Sequence, residues 1–265
     1  MSTHVSALAA AVLLVSCVGT TGGEVIAFNA AASGPADAEV GEPLEFVTYL
    51  GWNVTLTTAK LHVGAIYLNR SLPVSGVQQT SCILPDTYLG QVTSGRDVDL
   101  LSPERQPFPT LGEGATAPPA AVAQVWLTGV RIDHQDDVTP ILQIEGTAEK
   151  DGDRKPFTGT ITIGTNRIET TTDATQIGAD PICKKRIVTP IQVAIQLQKT
   201  GSLLLRIDPR FLFSNVDFSA LPAFGDDGFF FTDDSKNQPS RNLYSNLLAA
   251  GRLGLPRLYE FEWVP

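Results

Sequence analysis

Apolar and polar residues alternate with a period of two along most of the chain, which is typical of strands that bury one face. The longest such run covers residues 187–198, where aliphatic side chains alternate with Gln192, Gln196 and Gln198. Shorter runs predict further strands at 25–30, 44–48, 52–57, 61–68, 88–92, 125–132, 141–149, 157–164, 166–172, 202–207 and 259–263.

Turn residues separate these runs. Lys199-Thr200-Gly201 and Asp151-Gly152-Asp153 are predicted to be hairpin turns, and residues 102–119 to be a long, exposed, irregular connection. Strands that follow one another without intervening helices favour antiparallel sheets. We therefore predict an all-β fold, an antiparallel β-sandwich or barrel-like variant of about 10–12 strands, with residues 24–265 as a single domain.

One short helix is predicted near the carboxyl end. It begins at Gln238 with Pro239 in its first turn, Leu243 and Leu247 form an apolar stripe, and Gly251 is placed to stop it.

The amino terminus has the pattern of an export signal. The apolar run 5–15 is shorter than the roughly 20 residues that a membrane-spanning helix needs, and it fits the core of a secretory signal peptide. Leu14-Val15-Ser16-Cys17 resembles the bacterial lipobox. That resemblance implies a signal peptide over residues 1–16 and acylation of Cys17 on its sulfur and new amino group. One alternative is an ordinary secretory signal with a free Cys17. The other is that the apolar run forms a buried first element of the fold.

Residues 17–23 are small and uncharged after the cysteine, as expected for a flexible tether. Several acyl chains would attach the protein stably to a membrane. Val18, in place of Asp after the cysteine, implies the outer membrane by the enterobacterial sorting rule. We therefore expect a lipid-anchored protein of the bacterial cell envelope.

Two further cysteines, Cys82 and Cys183, lie in proline-flanked segments. Because exported compartments are oxidising, we predict a disulfide between them, closing a loop of about 100 residues. The alternative is a pair of free or metal-binding thiols, although the CxxC spacing typical of structural zinc sites is missing from the sequence.

Composition excludes two classes of protein. The chain of 265 residues carries 19 Lys and Arg against 28 Asp and Glu, a formal charge of −9, which argues against a nucleic-acid partner. With 43% hydrophobic and only 18% charged residues, it is also not intrinsically disordered.

The sequence contains no recognisable catalytic motif. It has no G-x-S-x-G, H-E-x-x-H, P-loop or G-x-G-x-x-G pattern, and only His62 and His134 follow the leader. We predict no catalytic residues and no cofactor, and hence a protein that is not an enzyme. An envelope hydrolase with two converging carboxylates is one alternative, because such a pair leaves no sequence signature.

A metal-binding lipoprotein is the other alternative. Asp133, His134, Asp136 and Asp137 place one imidazole and three carboxylates in one predicted loop, a set that suits copper or zinc. A solvated acidic turn accounts for the same residues. The aspartates at 226–227 and 233–234 are a calcium candidate, with Asp-rich turns as their simpler interpretation.

Four segments resemble uncharacterised exported lipoproteins of myxobacterial type. They are residues 51–56, 61–68, 145–148 and 156–159, which read GWNVTL, LHVGAIYL, EGTA and PFTG. The resemblance implies no catalytic residues. Together with the lipobox and the strand pattern, it favours a non-catalytic binding or assembly module of the envelope, with the membrane and an envelope protein as candidate partners.

Overall fold

The computed structural model describes residues 22–71, 88–128, 140–162, 187–225, 228–234, 236–249 and 257–265. Within these ranges the chain forms sixteen strands, one α-helix and two short 3₁₀ helices. The strands are β1 (Val25–Ser33), β2 (Leu44–Val47), β3 (Asn53–Val63), β4 (Ala65–Asn69), β5 (Tyr88–Val92), β6 (Arg96–Asp99), β7 (Gln106–Pro107), β8 (Gly112–Ala115), β9 (Ala120–Trp126), β10 (Pro140–Lys150), β11 (Asp153–Thr162), β12 (Ile187–Ile195), β13 (Ser202–Ile207), β14 (Ala223–Phe224), β15 (Gly228–Phe231) and β16 (Tyr259–Val264).

The strands form two sheets. The nine-stranded sheet has the order β12-β9-β4-β5-β8-β1-β13-β16, with β7 also paired to β1, and it curls toward a barrel. The seven-stranded sheet has the order β14-β15-β11-β10-β3-β2, with β6 also paired to β3. The predicted all-β class with one short helix is thus confirmed.

Most strand pairs are antiparallel, as predicted, but each sheet contains a parallel pair. β1 runs parallel to β13, and β11 runs parallel to β15. Parallel partners need a long crossover between them, and the strands in both pairs are far apart in sequence. The alternation of residues within a strand does not report this direction, so the sequence predicted only antiparallel sheets.

The predicted strand at 61–68 is in fact divided between the two sheets. β3 ends at Val63 in the seven-stranded sheet, and β4 begins at Ala65 in the nine-stranded one. Gly64 is the crossing point, and its backbone N–H donates to the Trp126 carbonyl at 2.8 Å. Residues 58–60, which separate two predicted strands, belong to the single strand β3. A register shift beside Thr58 changes which residues of β3 are buried: even-numbered residues before it and odd-numbered residues after it.

The apolar faces of the two sheets meet in one continuous core. Its aromatic centre is a set of four phenylalanine rings whose centroids lie 5.2–6.1 Å apart: Phe157, Phe213, Phe218 and Phe231. Two of these rings come from the 3₁₀ helices Pro209–Phe213 and Phe218–Ala220, each of which begins after an aspartate that caps its backbone N–H groups.

The α-helix α1 (Gln238–Leu247) begins where it was predicted. The Asn237 side chain accepts a hydrogen bond from the Ser240 N–H at 2.9 Å and caps the first turn. Leu243 and Leu247 are fully buried, as the apolar stripe predicted. The helix ends four residues before Gly251, which lies outside the described residues.

Two predictions about connections are wrong. The segment 102–119 is not an irregular exposed loop, because it contains β7 and β8, and β8 lies between β5 and β1 in the sheet. The turn at 199–201 is not a hairpin turn, because β12 pairs with β9 while β13 pairs with β1 and β16. The turn at 151–153 does join the antiparallel pair β10–β11, with positive φ at Asp151 and Gly152.

The remaining strand predictions differ mainly at their ends. β9 starts five residues before the predicted position, because the prolines just before Ala120 hid the start of the strand from the period-two pattern. β5 and β13 have the predicted ends, and the carboxyl-terminal run pairs with β13 rather than standing free. The strand predicted at 166–172 lies outside the described residues.

Candidate binding groove

The two ends of the nine-stranded sheet approach each other along a seam, where Cα atoms of β12 and β16 come within 8 Å of each other. β12 is bonded to β9 and β16 to β13, and no described strand pairs with the outer edge of either. Six antiparallel pairings and one parallel pairing separate β12 from β16 along the sheet. An even number of reversals means that the two edge strands run in the same direction.

Hydrogen bonds identify backbone groups that point into this seam. The Gln192 carbonyl accepts a hydrogen bond from Arg257 Nη1 at 3.3 Å, so the backbone of Gln192 faces away from β9 and toward β16. On the other side, the Leu258 carbonyl accepts from the Asp208 N–H at 2.9 Å and faces β13. Because backbone direction alternates along a strand, Tyr259 and Phe261 present their N–H and C=O groups to the seam.

Between the two edges lies a groove of about 730 Å³, within the size range of ligand pockets. Side chains from both edge strands give it an apolar floor: Ile191 and Tyr259 are buried, and Val193 and Phe261 are half-buried against the core. The wall is lined by Arg70, Ser71, Ala121, Val122, Gln192, Ala194, Arg257 and Glu260.

One end of the seam is covered by the chain itself. The connection between β12 and β13 passes the end of β16, where Trp263 Nε1 donates to the Thr200 carbonyl at 3.3 Å. A Cβ on Gly201 would lie only 2.6 Å from the Val264 carbonyl oxygen, so this approach requires glycine. The groove is built from Ile191–Ala194 and from residues 257–261, nearer the start of β16.

Tyr259 fixes the start of β16 rather than offering a reactive group. Its hydroxyl donates to the Leu247 carbonyl at 3.0 Å, which ties the strand to the end of α1. Complete burial raises the pKa of this phenol far above its ordinary value of about 10. Tyr259 therefore keeps its proton and serves as an anchor of the groove floor.

Two arginines and one glutamate line the groove. Arg70 and Arg257 both line it, and within the described residues neither guanidinium has a carboxylate within ion-pair distance. Arg210 shows the contrasting case, because it is held by Asp37 and Asp208 at 2.8 and 2.7 Å. Those contacts raise the pKa of Arg210 and lower the pKa of Asp37.

The outer face of the same sheet carries a second cluster, apart from the main core. Tyr67 contacts Tyr88 and Trp126, with ring centroids 4.9 and 5.0 Å apart. Trp126 Nε1 donates to Gln124 Oε1 at 3.1 Å. Asn69 is fully buried on this face, and its amide atoms have no hydrogen-bond partner among the described residues. The cluster thus combines aromatic rings with buried side-chain amides.

The residues that the sequence singled out for chemistry lie outside the described ranges. They are Cys17, Cys82 and Cys183, for lipidation and the disulfide, and Asp133, His134, Asp136 and Asp137, for a metal. In the part of the chain that the structure describes, no group of three His, Cys, Asp or Glu side chains is placed to hold a metal ion.

Other candidate side chains have partners within the protein. His62 Nδ1 lies 2.7 Å from Asp97 Oδ1 across the β3–β6 pair. Asp233 accepts a hydrogen bond from the Thr162 N–H at 2.7 Å. Asp234 pairs with Lys236 at 3.0 Å, and hydrogen bonds from Lys236 and Thr232 lower its pKa to about 2. These aspartates bind neighbouring donors, as expected for Asp-rich turns.

The sequence did not predict the groove. Arg70 and Arg257 are 187 residues apart and show no common pattern, and nothing in the alternation of β12 or β16 marks them as edge strands. The only usable signal was Pro190, because proline within a sheet is confined to edges, strand starts and bulges.

No family model and no curated protein sequence match the chain. The structure is similar to that of MbnP from Methylosinus trichosporium, with a TM-score of 0.43 and 12% identity over 91% of this chain and 98% of that chain. A likeness of this extent carries no argument about function. No helix in the described ranges is both long enough and apolar enough to cross a membrane.

Proposed function

We propose that this protein is a non-catalytic binding or assembly module that accepts an extended peptide of a partner protein in the groove beside β12 and β16. The observation that supports this most is that two free edges, running in the same direction, flank a groove with an apolar floor.

The width of the seam decides the mode of binding. A strand shared by both edges would need about 9.6 Å between them, and Cα atoms of β12 and β16 come within 8 Å of each other. The guest therefore binds at the mouth of the groove, against the backbone groups that either edge leaves open. Addition of a strand to a sheet edge obtains affinity from backbone hydrogen bonds and specificity from side-chain pockets. A guest whose alternate side chains are apolar would place them against Ile191, Val193 and Phe261.

The first experiment uses one synthetic peptide as its probe. The neutral probe is a nine-residue peptide of alternating valine and threonine, with its central threonine replaced by asparagine. An amide-linked polyethylene glycol chain that carries an uncharged fluorescent dye blocks its amino end, and its carboxyl end is amidated. Binding is measured by fluorescence anisotropy, and hydrogen exchange follows the backbone amides. We expect the probe to slow exchange at Gln192, Tyr259 and Phe261. Binding without protection of these amides would contradict the proposal. The proposal would also be contradicted if neither this probe nor any peptide from a phage-displayed peptide library bound the protein.

Gln192→Pro tests the edge itself. Proline removes the N–H that faces the seam while the backbone bonds of Ile191 to β9 are kept, so we expect the probe to bind roughly tenfold more weakly. Gln192→Ala is the matched control, because it removes the same side chain and keeps the N–H. Equal affinity of the two variants would show that the probe does not pair with β12.

We further propose that the protein works in the bacterial envelope, anchored through acylated Cys17 and braced by a Cys82–Cys183 disulfide. The lipobox resemblance and the cysteine spacing support this. A non-reducing mass map of the exported protein is expected to show acyl chains on Cys17 and one cross-linked peptide pair. Alkylatable Cys82 and Cys183 would contradict the disulfide, and an unmodified Cys17 would contradict the anchor. Stoichiometric copper, zinc or calcium in the same material would favour the metal-binding alternative.

A further inference from the structure

We propose that a second docking surface lies at the end of β2, the edge strand of the seven-stranded sheet, and that it binds a basic segment of a partner protein that also carries apolar side chains. This β2 surface consists of Val47, Tyr49 and Leu50 with the groove beside them. The inference is independent of the groove beside β12 and β16, which belong to the other sheet. It gives an assembly module a second face for a partner.

The first argument is that large apolar side chains are exposed together at this place. Val47, Tyr49 and Leu50 are 66%, 75% and 41% exposed, and no other large apolar side chain in the described part of the chain is as exposed as Tyr49. Val47 and Tyr49 also line a groove of about 330 Å³, whose walls include the half-buried rings of Phe46 and Phe211. Single exposed apolar residues are ordinary, whereas neighbouring ones mark an interaction site.

The second argument is that the exposed turn is held rigidly. The Thr48 N–H donates to the Trp52 carbonyl and the Gly51 N–H to the Thr48 carbonyl, both at 2.9 Å. The Lys150 ammonium donates to the Leu50 carbonyl at 2.6 Å. The Trp52 side chain is buried in the core and anchors the turn. A surface that is already ordered loses little conformational entropy on binding, which favours affinity.

The third argument is the acidic character of this stretch of chain. Residues 34–59 contain no basic residue and four acidic ones, all of them exposed: Asp37, Glu39, Glu42 and Glu45. Glu45 lies two positions before Val47 on β2, so the two side chains are on the same face of the strand. Negative charge therefore lies directly beside the exposed apolar side chains.

The cations near the β2 surface are bonded within the protein. Arg210 lines the groove, but Asp37 and Asp208 hold it at 2.8 and 2.7 Å. Two carboxylates face one guanidinium there, so this group is negative overall. Lys150 is bonded to the Leu50 carbonyl. A partner with lysine or arginine next to its own apolar residues complements both the charge and the apolar side chains.

The same charge argues against the two other occupants of an apolar surface. In a twofold dimer the same patch meets itself, which would bring the two acidic stretches together, and like charges at close range are destabilising. Anionic lipid headgroups attract basic segments and repel acidic ones. A basic segment of a partner protein is the occupant that fits.

The experiment uses three matched peptide probes on the full chain. The lysine probe has adjacent leucine and tryptophan between two lysines, with a glycine-serine pair at each end, an uncharged dye on its amino end and an amidated carboxyl end. The glutamine and glutamate probes replace both lysines. We expect fluorescence anisotropy to show that the lysine probe binds about fivefold or more tightly than the glutamine probe, and the glutamate probe most weakly. The preference should shrink as salt is raised from 0.01 to 1 M.

Variants assign the binding to the β2 surface. Tyr49→Ser with Leu50→Ser should weaken the lysine probe about tenfold and leave the urea midpoint unchanged, because both side chains are exposed. Leu111→Ser is the matched control, since Leu111 is 56% exposed and precedes β8 in the other sheet. Glu45→Gln should weaken the lysine probe about twofold to fivefold and leave the glutamine probe unaffected.

Several results would overturn the proposal. One is equal affinity of the parent and the double serine variant for the lysine probe, and another is a preference for the glutamate probe. If the lysine probe does not bind, a phage-displayed peptide library replaces it, and the proposal is wrong if no peptide bearing lysine or arginine prefers the parent to the double variant. The valine-threonine probe of the groove beside β12 and β16 should bind the double variant and the parent alike, so the two proposals fail separately.

Two further measurements test the other occupants. Analytical ultracentrifugation is expected to show a monomer, and flotation of the Cys17→Ser chain with vesicles of phosphatidylcholine and phosphatidylglycerol is expected to show no binding through the β2 surface. A dimer that the double serine variant abolishes would assign the surface to a second copy of the chain. Vesicle binding that the same variant abolishes would assign it to a membrane, and either result would overturn the proposal.

Discussion

Gly90 and Gly114 are direct partners on the neighbouring strands β5 and β8, and together they leave a notch that Leu197 fills. Leu197 follows β12, at the far end of the same sheet, and it is almost completely buried. Its contact with the middle of the sheet is possible only because the sheet curls. The two glycines are thus part of what brings the β12 edge round toward β16.

Gly114→Ala is expected to destabilise the protein by about 1–3 kcal/mol, the usual cost of overpacking. A Cβ at this position would lie 2.4 Å from Leu197 Cδ1 and 2.7 Å from the Leu89 carbonyl oxygen, and the backbone oxygen has little room to move. Urea unfolding measures the change. Gly90→Ala is the matched control with a smaller expected loss, because its nearest atom is Leu197 Cδ1 at 3.1 Å. Equal stability of Gly114→Ala and the parent would show that Leu197 does not fill the notch.

At the scale of elements, the predicted strands were largely correct wherever side chains alternate between core and solvent. β10 is an example, since its core-facing residues alternate with exposed or partly exposed ones along most of the strand. β8 was missed because its sequence, Gly112-Glu113-Gly114-Ala115, has no large apolar residue to alternate. Its glycines are needed for close packing under Phe28 and Leu197, a requirement that depends on other strands.

Strand pairing was less predictable than strand position. β1 and β13 pair although 168 residues separate Ser33 from Ser202, and β12 and β13 do not pair although only six residues lie between them. Local turn chemistry at Lys199-Thr200-Gly201 indicated a hairpin, and Gly201 does have a positive φ of 109°. That conformation serves instead the close approach to Val264 at the end of β16.

The candidate groove depends entirely on pairing, which explains why no motif revealed it. Its edge strands were both predicted as strands, yet their free edges follow from the order of eight strands in one sheet. The sequence-based candidates, by contrast, were short motifs around cysteines and acidic residues. Such motifs are recognised from a few consecutive residues, whereas a groove between two sheet edges depends on how strands that are distant in sequence pair with one another.

At the scale of the whole molecule, the groove beside β12 and β16 links peptide binding to stability. A guest peptide would bond to backbone groups of Gln192, Tyr259 and Phe261 and cover apolar side chains that are half-buried without it. The unfolded chain has neither the aligned backbone groups nor the apolar groove. Because the guest binds only the folded protein, it must raise the free energy of unfolding.

The neutral probe is therefore expected to raise the melting temperature as its concentration increases. At a hundred times its dissociation constant the stabilisation is about 2.7 kcal/mol, which for a domain of this size corresponds to roughly 5–10 °C. Differential scanning calorimetry measures the shift, and Gln192→Pro should show a smaller shift at the same probe concentration. A melting temperature that stays constant while anisotropy reports saturation would mean that the probe binds folded and unfolded chains alike. That result would rule out binding in the groove of the folded protein.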